Sequence, residues 1–172
     1  MPLLRQIAQL GHPVLRIPAR PVDLPAVETL RSFVDDLMAT MLDADGVGIA
    51  APQVYEPLQV FIVASRPNPR YPDAPWMEPE VVVNPEIVWQ SEEVVKGWEG
   101  CLSIPGIRGH VPRHRRIRAC YWTLDGTEVE REFVDFVARV FQHEDDHLRG
   151  IVFLDRLESN RDIIGEKEFR KL

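Results

Sequence analysis

The chain has 172 residues, enough for one domain with a proper core, and is 45% hydrophobic and 27% charged, as soluble globular proteins are. Its net charge of −7 argues against nonspecific nucleic-acid binding, so DNA is not an expected partner, and no apolar run approaches the length of a membrane span. The opening residues, MPLLRQIAQLGHPVLR, lack the apolar core and cleavage site of a signal peptide and the character of a transit peptide. The expected location is the cytoplasm, with no membrane partner.

The first strong element is AVETLRSFVDDLMATMLDADG. Leu30, Phe33, Val34, Leu37, Met38, Met41 and Leu42 follow the spacing of one helix face. Pro25 near its start and Gly46 just past its end punctuate that helix. LQVFIVA (58–64) reads as a buried strand. SRPNPRYPDAPWMEPE (65–80) carries prolines at 67, 69, 72, 75 and 79, a density that neither helix nor sheet tolerates, and reads as a surface insertion. VVVNPEIVWQ resumes as strand. RIRACYWTLDGTEVEREF reads as a hairpin turning at Asp125-Gly126, with Ile117, Ala119 and Tyr121 alternating with Arg118, Cys120 and Trp122. FVARVFQHEDDHLR is the second strong helix, with Asp135 as a candidate N-cap and Gly150 placed to end it. The tail, NRDIIGEKEFRKL, is short and of mixed charge. Helix, strands, helix is the order of an α+β fold rather than of alternating βαβ units, in a single domain over 1–172.

The chemistry lies on the second helix. His143-Glu144-Asp145-Asp146-His147 is an H-E-x-x-H pattern whose two histidines, one turn apart, can reach a single ion. Glu144 points slightly off that face, where a general base can touch a water without binding the ion. Phe136 and Val140 share the histidine face, and an unpaired imidazole pair among apolar groups is unfavourable unless a metal satisfies it. A catalytic site needs a third protein ligand. Downstream, the candidates are Asp155, Glu158, Asp162, Glu166 and Glu168; no further histidine follows. Upstream stands Cys101, in GWEGCLSIPG, which reads as a loop because it shows neither helix nor strand periodicity. A downstream carboxylate would point to a peptidase of the zinc type. Cys120, by contrast, reads as a plain strand residue, and no disulfide is expected.

GVGIAAPQV (46–54), EGCLS (99–103) and QHEDDHLRG (142–150), in that order, resemble the motifs of the peptide deformylases. The resemblance implies antiparallel β-sheets around a central helix that bears the H-E-x-x-H pattern, with an N-terminal helix and a short C-terminal tail or helix. It implies removal of the N-formyl group from the formyl-methionine that begins a new polypeptide, with release of formate. It assigns Cys101, His143 and His147 as metal ligands and Glu144 as the acid/base. Gln53 and the backbone N–H of Leu102 become the donors to the developing oxyanion. Gly46, Val47 and Gly48 become the substrate-binding edge, and Arg108 an arginine near the substrate. The ion implied is ferrous iron in the cell, with zinc, nickel or cobalt as substitutes. A methionine pocket is expected from Phe136, Val140 and the Val47 region. An inactive metal-binding or ribosome-associated module would be expected to have lost a ligand, Glu144 or Gln53, and none is lost.

Asp145 departs from the resemblance, because that position is often apolar in the family; it is expected to face solvent. Asp146 is expected to orient the site through a basic partner, Arg113. The tail shows no basic face for ribosomal RNA, so the ribosome is not supported as a docking partner.

Overall fold

The first helix, α1 (Val27–Asp43), buries the stripe that the sequence marks, with Leu30, Val34, Leu37 and Met41 in the core. The computed structural model describes residues 1–24 and 27–172, so Pro25, expected at the helix start, lies outside the described residues. Past α1 the chain turns through Asp45 (φ 52°), and the Gly46 N–H donates to the Met41 carbonyl at 2.9 Å, closing the helix end.

Five strands then form one antiparallel sheet in the order β1 (Gly48–Ala50), β2 (Val60–Val63), β3 (Glu80–Gln90), β6 (Arg116–Trp122) and β7 (Glu128–Val134). A second, three-stranded sheet has the order β4 (Val94–Cys101), β5 (Ile104–His114) and β8 (Ile163–Gly165). The helix α2 (Asp135–Leu148) packs against strands of both sheets, and a last short helix, α3 (Glu166–Phe169), closes the tail.

Strand β2 shows why a continuous apolar run was required. Its side chains alternate between two cores: Phe61 and Val63 face the cluster that includes Val140 and Phe141 of α2, whereas Val60 and Ile62 face the cluster built on α1. The β6–β7 hairpin turns at Asp125-Gly126 (Gly126 φ 82°), with Ile117, Ala119 and Tyr121 buried and Cys120 a free thiol on the other face.

Two expectations change. GWEGC is strand, not loop: residues 94–101 pair in register with 104–114, with a bulge between Glu99 and Cys101. Its glycines disguise the alternation, and close approaches explain them. A Cβ at Gly97 would lie 2.8 Å from the Arg139 guanidinium carbon, and one at Gly100 would lie 3.0 Å from Arg70 Nη2. The 65–80 insertion, moreover, is not wholly a surface loop. Ser65 and Ala74 are buried, the Met77 N–H donates to the Ser65 carbonyl at 2.9 Å, and Tyr71 packs on the Phe136 ring at 5.4 Å. No helix among the described residues is long and apolar enough to cross a membrane.

Phe141 is fully buried and holds α2 to the large sheet through Phe61 and Phe133, with ring centroids 4.9 and 4.8 Å away. Phe141→Ala is expected to destabilise the fold by about 3–5 kcal/mol. Urea denaturation reads this as a lower midpoint at constant slope. A midpoint that does not move would show that this aromatic cluster does not hold the helix.

Candidate active site

The strand-to-helix corner sets the direction of α2. Asp135 takes φ 50° and does not cap the helix as expected; the capping position is Val134, and the Asp135 carboxylate instead accepts from Arg115 Nε at 2.8 Å. At the other end Gly150 (φ 73°) terminates the helix. A Cβ there would come within 2.6 Å of the Arg16 carbonyl oxygen, so the turn requires glycine.

Between these ends, Ala138 to Leu148 are all buried, because α2 lies between the two sheets and has no solvent face over that stretch. His143 and His147 stand one turn apart with ring centroids at 5.1 Å. The end of β4 brings Cys101 beneath them, its Sγ 3.4 Å from His147 Nε2. Ligand atoms of Cys101, His143 and His147 all lie within 4.8 Å of one another, the grouping among the described residues that could hold a metal ion. The downstream carboxylates are engaged elsewhere. Asp155 pairs with Arg16, Glu158 and Asp162 with Lys96, Glu166 with Arg108, and Glu168 with Lys171.

The chemistry of this donor set fits a divalent first-row ion, since one thiolate and two imidazoles make a compact, borderline-soft site. His143 Nδ1 lies 2.9 Å from Glu99 Oε2, which fixes the ring and leaves Nε2 for an ion. Glu144 Oε2 and His147 Nδ1 are buried without a hydrogen-bond partner in the protein. Burial opposes charge on both imidazoles. It prevails at His147, whose pKa is pushed well down with help from His143, whereas hydrogen bonds to Cys101 and Glu99 push His143 up.

Glu144 sits beside Cys101 and His143 and lines a cavity together with them and with Val47, Gly48, Gln53 and Leu102. Burial pushes its carboxyl up to about 7, against the pull of His143. Gly48 is glycine because a Cβ there would lie 2.5 Å from Glu144 Oε1. Gln53 is locked in one orientation: Oε1 accepts from the Ala50 N–H at 2.9 Å, and Nε2 donates to Ser103 Oγ at 3.1 Å and faces Cys101 Sγ at 3.5 Å. Phe136 and Val140 line the same cavity.

Sequence reasoning missed four residues here. Glu99 receives Arg113 through two hydrogen bonds (2.8 and 3.0 Å), Arg139 Nη1 at 3.0 Å, and His143. Burial opposes its charge, but Arg113 and these hydrogen bonds hold its carboxyl well below the usual range. Glu99 stands two places before Cys101, and its strand parity would have shown it had GWEGC been read as strand. Arg139 carries the network on to backbone carbonyls of β4 and β5, at Val95 (2.6 Å) and Val111 (2.7 Å). Arg70 and Tyr71 reach the cavity from the insertion, where no periodicity announces them.

Asp146 meets Arg113 at 2.6 Å as expected, and also takes a forked contact from Arg156 at 2.6 and 3.1 Å. Asp145 does not face solvent. It is 4% exposed, pairs with Arg149 at 2.8 Å and borders a second cavity behind the helix; burial pushes its carboxyl up to about 6. Arg108, expected near the substrate, is buried with its guanidinium carbon 4.8 Å from the Tyr71 ring centroid; it lines not the Glu144 cavity itself but the adjoining hollow, whose wall also includes Arg70, Tyr71 and Phe136.

Residues 4–162 match the family model described as polypeptide deformylase. The chain belongs to the polypeptide deformylase family. A peptide deformylase 2 of Nostoc sp. is 54% identical over 171 residues, covering 99% of this chain and 96% of that one. A peptide deformylase 2 of Shewanella oneidensis is 50% identical over 153 residues, 87% of this chain and 82% of that one. Among solved structures, a Met-Ala-Ser-bound class I type b peptide deformylase from Acinetobacter baumannii superposes with a TM-score of 0.89 at 49% identity, over 91% of this chain and 100% of that one. The α+β architecture expected from the resemblance is the one observed. Membership carries the reaction: the chain is a hydrolase that removes the N-formyl group from the formyl-methionine at the start of new polypeptides and releases formate.

Glu99→Gln is expected to weaken metal retention about 10- to 100-fold, because the group that orients His143 loses its charge. Competition against a chromogenic chelator measures it. Asp145→Asn, on the far side of the helix, leaves retention and turnover unchanged in the same assays.

Proposed function

We propose that Cys101, His143 and His147 hold one divalent ion and that Glu144, Gln53 and the Leu102 N–H carry out the deformylation around it. The observation that carries this is the convergence of the three ligand atoms within 4.8 Å, two of their residues, Cys101 and His143, lining the same cavity as Glu144 and Gln53. When bound, the ion supplies a Lewis acid that makes a water nucleophilic near neutral pH.

Glu144 accepts the proton of the attacking water and returns it to the departing amine, otherwise a poor leaving group; a carboxyl raised toward neutrality suits both transfers. Negative charge grows on the formyl oxygen as the carbon becomes tetrahedral. Gln53 Nε2, held on the Cys101 side by its bond from Ala50, donates to that oxygen without adding net charge, and the Leu102 N–H is the second donor. Because Gln53 is already oriented, little reorganisation is needed as charge develops.

The methionine side chain occupies the apolar part of the cavity, between Phe136, Val140 and Val47. The peptide backbone runs along Gly46, Val47 and Gly48, where β1 is the edge strand of the large sheet. Thiolate with imidazole suits ferrous iron in the cell, and zinc, nickel or cobalt as substitutes. The chain works as one catalytic domain over 1–172, in the cytoplasm, on nascent peptides.

Purified protein with ferrous iron should release formate from formyl-Met-Ala-Ser and leave internal peptide bonds intact. No formate with any divalent metal would refute the reading. Glu144→Gln should keep its metal yet lose about 10²- to 10⁴-fold in kcat. Cys101→Ala should lose metal and activity together. Metal analysis beside formate assay separates the two failures.

A further inference from the structure

Arg108, on β5, is 2% exposed, and two other segments converge on its guanidinium. Nε donates to Glu166 Oε2 at 2.8 Å and Nη2 to Glu166 Oε1 at 3.0 Å, the forked geometry that arginine makes with a carboxylate. Nη2 also donates to the Arg70 carbonyl at 2.8 Å. The guanidinium carbon lies 4.8 Å from the Tyr71 ring centroid and 4.2 Å from that of Phe169. Strand β5, the 65–80 insertion and α3 thus meet at one cation.

The insertion needs such an anchor. Its prolines remove ladder hydrogen bonds, and the isolated bridge between Asn68 and Tyr71 lies within the insertion itself. Tyr71 is held from its other end as well: its Oη accepts the Gly100 N–H at 3.0 Å, one residue before Cys101. Arg70 and Tyr71 are part of the wall of the Glu144 cavity, and both also line the hollow that continues outward from it toward Phe169. Arg108 borders that hollow too, but its fork is already occupied by Glu166 and the Arg70 carbonyl and two aromatic rings lie against it at 4.8 and 4.2 Å, so it acts on a substrate by holding Tyr71.

We propose that Arg108 is a positioning residue. Clamped by Glu166 and Phe169, it fixes the Arg70–Tyr71 wall and so sets the hold of the cleft on the part of the formyl-peptide beyond its methionine. The C-terminal segment becomes a determinant of substrate affinity although it contributes nothing to the reacting centre. This rests on the reading of the Glu144 cavity as the formyl-peptide cleft.

The test uses full-length Glu166→Gln and Phe169→Ala, loaded with the same metal as the parent chain and assayed for formate from formyl-Met-Ala-Ser and from formyl-methionine alone. In both variants KM for the tripeptide should rise about fivefold or more while kcat stays within about twofold and formyl-methionine kinetics do not move. Hydrogen exchange at the Gly100 amide and across 66–74 should quicken in parallel, and Phe169→Tyr should restore the parental KM. An unchanged tripeptide KM, an equal loss on both substrates, or a fall in kcat alone would overturn the clamp. If the parent chain released no formate from either substrate, the cleft reading would fall and the clamp with it; a turning-over parent with unresponsive variants overturns the clamp alone.

Discussion

The site depends on one buried carboxylate. Glu99 is 3% exposed, yet it remains charged because Arg113, Arg139 and His143 all donate to it. Stripped of those partners, a carboxylate in this place would take a proton rather than bear the desolvation cost. Its charge is therefore a product of the fold, and it returns that cost as orientation. With Nδ1 of His143 committed to Glu99, only Nε2 remains on the side of Cys101 and His147. A ring that could otherwise rotate is held in one pose by the fold itself.

The same carboxylate ties the two layers together. Glu99 lies on β4, Arg113 on β5, and Arg139, His143 and Asp146 on α2. The small sheet and the helix are thus joined by charge-assisted hydrogen bonds on the side where Cys101 must meet the histidines. On the opposite side α2 meets the large sheet through Phe141, Phe61 and Phe133. The helix is held by apolar packing on one flank and by a polar network on the other. The apolar flank supplies stability. Removing one partner of the network would strand the others as unpaired buried charges, a loss of about 3–5 kcal/mol.

How much of this was legible follows the periodicities. The stripe of α1, the alternation of β6 and the i, i+4 histidines of α2 are repeats a sequence displays directly, and each became the element expected. GWEGC did not, because strand alternation is recognised by side chains and Gly97 and Gly100 have none; they are glycine to admit Arg139 and Arg70, contacts more than thirty residues away or reached through an irregular segment. Glu99 was hidden with that strand. Asp145 was misplaced for a different reason. A helical wheel assigns charged positions to solvent by default, and α2 has no solvent side over Ala138–Leu148. Tyr71 and Arg70 lie where prolines suppress every local period, so only tertiary structure could reveal that they line the cleft.

The acids of the H-E-D-D-H stretch set a further constraint. They occupy the last two turns of α2, where the helix dipole presents its negative end and disfavours carboxylates. Burial, with the nearby charge of Glu99, pushes the Glu144 carboxyl up to about 7 against the pull of His143. Asp146 is met by Arg113 and Arg156, and Asp145 by Arg149. All the cations are arginines, and at Asp146 this has a geometric reason. Arg113 divides its guanidinium between Glu99 and Asp146, and Arg156 places two nitrogens on the same aspartate. A lysine ammonium is a compact point charge with no planar fork, so it could not span two carboxylates in fixed directions. The three consecutive acids therefore divide into one left without a direct cation, facing the cavity, and two neutralised by arginines on the reverse side of the helix.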